Sequence, residues 1–143
     1  MCHQCDYSDL LKARGLGITR NRLRVLEIIG SSNFPLSAGN TYKTAERNAS
    51  INRVTVYRIL DLLVERGLVQ RLRGAGRSFV YGLAPSQHHP AHAHFFCKSC
   101  GHMECLNPQS LNVDTKPMQH TFTGLIENVE VRVDGVCQTC LKT

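Results

Sequence analysis

The sequence predicts an α+β chain built from two unlike halves. Three observations predict it. Apolar residues recur at helical spacing up to position 65. Two short runs then flank a glycine-rich turn between 69 and 83. Two Cys-x-x-Cys pairs follow position 96.

The helices come first. Tyr7 to Arg14 reads as a short helix stopped by Gly15 and Gly17. Thr19 caps a second, with Leu23, Leu26 and Ile29 on one face. Gly30 to Pro35 is a loop, and Ser37 caps a third helix whose start Gly39 weakens. Asn52 caps a fourth over Arg53–Glu65, ended by Gly67. Its Val56, Ile59, Leu60 and Leu63 recur at i, i+3, i+4 and i+7 and predict the buried stripe. The opposite side carries Arg53, Thr55 and Arg58, with Tyr57 near the edge. Arg can donate two bonds to guanine O6 and N7, and Thr or Tyr can touch a thymine methyl. Val69–Arg73, the turn Gly74-Ala75-Gly76, and Arg77–Leu83 then read as a hairpin. Three helices and a basic hairpin describe a winged helix-turn-helix, with Arg71, Arg73 and Arg77 directed at phosphates.

Charge separates the halves. Residues 1–84 hold 13 Lys/Arg against 6 Asp/Glu, a net +7; residues 85–143 hold 4 against 5, a net −1. The basic half suits a polyanion. Six of the seven histidines lie after position 84. No apolar run reaches the ~18 residues of a membrane span. The N-terminal residues lack the stretches of a signal peptide, so a cytoplasmic location and reduced thiols are expected. Cys2, His3 and Cys5 read as a flexible terminus, with a third thiolate site as the alternative.

In the second half, Cys97-Lys98-Ser99-Cys100 and Cys137-Gln138-Thr139-Cys140 predict a closed Cys₄ structural zinc site. His92 to Cys97 reads as a strand, on which His92 and His94 project to one face. His102 to Leu106 returns as a second strand and brings Cys105 or Glu104 near the histidines. Pro108 and Pro117 leave room for one short helix, and Val129–Val133 alternates as a strand before an Asp134-Gly135 turn. The expected division is a winged helix over 1–84, a hinge over 85–90, and a small zinc-stapled α/β domain over 91–143.

These residues resemble the ferric uptake regulator family of bacterial metal-dependent repressors. The resemblance runs from about Leu11 to Cys140. It rests on Gly15-Leu16-Gly17-Ile18-Thr19, Leu36-Ser37-Ala38, Thr55-Val56-Tyr57-Arg58-Ile59-Leu60 and Glu65-Arg66-Gly67-Leu68-Val69, with His92-Ala93-His94 and Cys97-Lys98-Ser99-Cys100-Gly101 in the second half. It implies a homodimer that binds an A/T-rich inverted repeat in double-stranded DNA when a sensor metal is present. It implies base contacts from Tyr57 and Arg58, a minor-groove contact from Lys12 or Arg14, and structural zinc on Cys97, Cys100, Cys137 and Cys140. It implies a regulator, not an enzyme.

The sensor site departs from the family pattern. Pro35 and the Tyr81-Gly82-Leu83 segment stand where members bring ligands from the winged helix, and Ala93 stands between the histidines in place of an acidic residue. A sensor site must therefore be assembled from His88 or His89, His92, His94, Cys105, and His120 or Glu104. Two imidazoles with a thiolate favour zinc, whereas Glu104 in place of Cys105 would favour iron. The expected function is a zinc-responsive repressor. The alternative is a constitutive or thiol- or peroxide-responsive DNA-binding regulator with structural zinc only.

Overall fold

Three helices of the first half start on the side chains that the sequence offers as caps, and the first starts on Asp6, which is not read as one from the sequence. The computed structural model describes residues 5–86 and 89–143. In it α1 (Tyr7–Ala13) is capped by Asp6, α2 (Arg20–Ser31) by Thr19, α3 (Ala38–Glu46) by Ser37 and α4 (Arg53–Glu65) by Asn52. In α4 the Thr55 amide donates to Asn52 Oδ1 at 2.8 Å, which satisfies one of the helix's unpaired N–H groups. Both α1 and α4 stop in the same way. Gly15 and Gly67 adopt φ of +71° and +73°. The amides of Leu16 and Leu68 then reach back to the carbonyls of Leu11 and Leu63, at 3.0 and 2.9 Å. This closure seats each apolar pair in the core and relies on glycine's freedom at positive φ.

The core of this unit collects Leu11, Val25, Leu26, Ile29, Val56, Leu60 and Leu63 from the helices, with Val69, Tyr81 and Leu83 from the sheet. The apolar stripe read on α4 is buried as expected. The hairpin forms from β2 (Val69–Arg73) and β3 (Phe79–Leu83), two residues shorter at the start of its second strand than expected. Ser78 stays in the turn, its amide bonded to the Ala75 carbonyl. A two-residue strand not read from the sequence, Leu36–Ser37, joins the far side of β3. Numbered in chain order it is β1, and the sheet order is β1-β3-β2, antiparallel throughout.

The chain divides into two units, one ending at Ala91 and the other running from His92 to Thr143. The second unit centres on β4 (His94–Cys97), antiparallel to β5 (Met103–Cys105) and parallel to β6 (Arg132–Gly135). Two short helices, α5 (Lys116–Thr121) and α6 (Gln138–Leu141), complete it. The strand expected over Val129–Val133 is displaced toward the C-terminus. Asp134 and Gly135 are not a turn but the end of β6, paired with Phe96 and Cys97. Gly135 permits this because a Cβ there would stand 3.0 Å from the Phe95 ring. The Lys98 amide then bonds the Gly135 carbonyl at 2.8 Å and brings the chain alongside Cys97.

Candidate metal centres and nucleic-acid interface

The end of β4, the turn after it and the start of α6 converge on four sulfurs. Cys97, Cys100, Cys137 and Cys140 offer ligand atoms all within 4.8 Å of one another. The Sγ pairs Cys97–Cys140 and Cys100–Cys137 are each 3.8 Å apart. A tetrahedron with Zn–S bonds of about 2.3 Å has edges of ~3.8 Å, so the set fits zinc. Gly101, at φ +77°, turns the first knuckle, and its amide donates to the Cys97 carbonyl at 2.9 Å. Backbone amides of Cys137 and Cys100 donate to Cys97 Sγ at 3.3 and 3.5 Å. They lower its thiol to about 6. Hydrogen bonding with the Cys137 and Cys100 thiols, followed by burial, pushes Cys140 up to about 12. The set thus stores one negative charge readily and holds back others until a cation neutralises them.

A second group lies at the other end of β4. His92, His94 and Cys105 offer ligand atoms within 4.8 Å of one another. The histidine rings are 4.7 Å apart between centroids, and His94 is 4% exposed. The register explains the group. His94 pairs directly with Cys105 across β4–β5, whereas Glu104 pairs with Phe95 and projects to the opposite face. There Glu104 lies 3.6 Å from His102. The sequence left Cys105 and Glu104 as alternatives, and the pairing puts Cys105 with the histidines. A His₂Cys set fits a borderline-soft divalent cation and leaves a fourth position. Burial raises the Cys105 thiol, which disfavours the free thiolate that oxidation needs.

The other sensor candidates fall elsewhere. Among the described residues neither His89 nor His120 joins the group. His89 forms an isolated bridge with Ser86, and His120 is exposed on α5. His88, Cys2 and His3 lie outside the described residues, and Cys5 packs half-buried against the winged-helix core. Pro35 and Gly82 are neighbours across β1 and β3: a Cβ on Gly82 would meet Pro35 Cγ at 3.9 Å. Neither offers a metal ligand.

The candidate nucleic-acid face includes α4. Arg53, Tyr57 and Arg58 are exposed along it. Thr55 is half-buried at the rim of the core stripe. Arg53 lies over the Tyr42 ring of α3 at 5.0 Å. That stacking limits the arginine's rotamers before any ligand arrives. Tyr42 in turn hydrogen-bonds Glu46, which raises its hydroxyl pKa. On the wing, Arg71, Arg73 and Arg77 are exposed, and Arg71 lies 4.7 Å over the Phe79 ring. Lys12 and Arg14 are exposed, but the Arg14 carbonyl accepts from Arg66 Nη1 at 3.0 Å. This ties Arg14 to the C-terminal end of α4, away from Arg53.

A winged helix with a basic outer face, joined to a unit with a cysteine tetrad and a His₂Cys group, defines a metal-dependent DNA-binding protein. The family model described as "Ferric uptake regulator family" matches residues 13–131. A ferric uptake regulation protein of Legionella pneumophila is 31% identical over 94% of this chain and 98% of its own length. The crystal structure of the Vibrio cholerae ferric uptake regulator superposes with a TM-score of 0.69 at 28% identity, covering 92% of this chain and all of that one. A zinc uptake regulator complexed with zinc and DNA gives 0.62 at 25% identity, covering 94% and 90%. The chain belongs to the ferric uptake regulator family, whose members are metal-responsive DNA-binding transcription regulators rather than enzymes. Among the described residues no helix is long and apolar enough to cross a membrane.

Proposed function

We propose that this chain is a zinc-responsive repressor acting as a homodimer on an A/T-rich inverted repeat. Residues 1–84 bind DNA, 85–90 serve as a hinge, and 91–143 assemble the dimer and hold both metals. The observation that carries the reading is the His94–Cys105 strand pairing, which supplies a thiolate beside two imidazoles where Glu104 would have supplied a carboxylate. Thiolate and imidazole together favour zinc over iron, manganese or magnesium.

Zinc at these side chains would supply a cross-link and no bond chemistry. Everything else is done by the protein. His92 opens the second unit, two residues after Pro90. Holding His92 against His94 and Cys105 fixes the direction in which the connecting segment leaves the ladder. A fixed connection restricts the two winged helices of a dimer to fewer arrangements. A palindrome accepts only arrangements with the correct half-site separation, so restriction raises affinity. Coupling of about 1–3 kcal/mol would change DNA affinity roughly 5- to 150-fold.

The test is competitive metal titration of the protein with its Cys₄ zinc in place. Zinc is expected to occupy one further site per chain and to resist displacement by a hundred-fold excess of ferrous iron. Displacement by iron, with unchanged DNA affinity on returning zinc, would contradict the zinc assignment.

A further inference from the structure

The face of α4 that points away from the core is not centred on an arginine. At about 100° per residue, the buried Val56, Ile59, Leu60 and Leu63 average to one direction, and Val54 points within about 10° of its opposite. Val54 is 57% exposed, the most exposed apolar side chain of this helix. Tyr57, 37% exposed, lies on one flank and Arg58 on the other. Residues 53–60 contain no acidic side chain, whereas Asp61 lies on the same face about two turns further on. The phosphates of a duplex therefore admit the N-terminal half of α4 and repel the part around Asp61. Val54 occupies the second position of the helix, in the part that a recognition helix inserts toward base edges.

We propose that Val54 is a specificity-determining residue that reads the 5-methyl group of thymine in the major groove. The inference rests on the DNA-binding reading above. An isopropyl group has no hydrogen-bonding atom, so the only base-edge feature it can favour is that methyl. Its branch at Cβ leaves one strongly preferred rotamer in a helix, so the contact costs little further ordering. Arg53 and Arg58 on either side supply the charge that holds a polyanion against this apolar centre, which favours DNA over a protein partner.

The test uses the full-length protein with zinc to select duplexes from a random-sequence pool. In the best duplex each thymidine is replaced in turn by deoxyuridine, which removes only the methyl group. Wild type is expected to lose about four-fold in affinity at one or two positions per half-site, the worth of one buried methyl. Val54→Ala should bind the thymidine duplex weaker by a similar factor and show no further loss with deoxyuridine at those positions. Val54→Thr, which keeps the branch and replaces one methyl with a hydroxyl, should fall between. The inference is overturned if no position loses its deoxyuridine penalty in Val54→Ala. If duplexes are enriched and bound but lack this coupling, DNA binding stands and the Val54 reading alone fails. If no duplex is enriched, both fail.

Discussion

Single residues set what the metal groups can do. In the second group, Cys105 faces His94 because a β-ladder exchanges faces at every residue, so a slip of one would substitute Glu104. The expected return strand over His102–Leu106 brought both residues near the histidines; it could not show the register. Cys105→Ser should therefore abolish the second equivalent of zinc while leaving the Cys₄ equivalent, as read by metal analysis after gel filtration. Loss of both equivalents would mean that Cys105 supports the fold instead. In the first group the thiols differ. Cys97 is already a thiolate above about pH 6, whereas Cys100 and Cys140 are raised and still hold protons at neutral pH. Zinc must displace those protons. Its affinity for the stripped chain should rise with pH from neutrality upward through the alkaline range, because Cys140 is pushed up to about 12 and Cys100 is raised as well. Calorimetry in buffers of different ionisation enthalpy should detect proton release from Cys100 and Cys140.

At the level of elements, the helices were legible because their caps and stripes are local chemistry. Thr19, Ser37 and Asn52 each accept the N–H that their position predicts, and Asp6, not read as a cap, does the same for α1. Asn52→Ala should lower stability by about 1 kcal/mol, measured by denaturant unfolding of the zinc-loaded chain. The strands were less legible. Leu36–Ser37 is too short to show alternation, and the pattern Val129–Val133 fits several parallel registers with β4. The register is settled by Cys97 and Gly135, which are remote in sequence. Thr55 and Val54 show the same limit on the DNA face: side-chain type suggested Thr55, and the direction of the buried stripe places Val54 at the centre. Wing and helix should also separate by experiment. Arg71→Ala with Arg73→Ala should weaken binding alike on all sequences and reduce the salt slope by about two. Arg58→Ala should weaken the selected duplex far more than random DNA. Equal losses on both duplexes would remove Arg58 from base reading.

At the level of the whole molecule, the charge division read from the sequence follows the division into units. The +7 portion contains the winged helix, and the −1 portion contains both metal groups. The cysteine tetrad brings residues near 100 together with those near 140, and it staples the second unit without determining what the protein senses. In the proposed reading sensing rests on His92, His94 and Cys105, which all lie in the second unit, while Pro35 and Gly82 of the first offer no ligand. The direct test is the affinity of full-length protein for its selected duplex, with the Cys₄ zinc retained and the second site either filled with zinc or emptied by a mild chelator. The account predicts at least five-fold tighter binding with the second site filled, and no such difference in Cys105→Ser. Equal affinity in both states of the wild-type protein would contradict it.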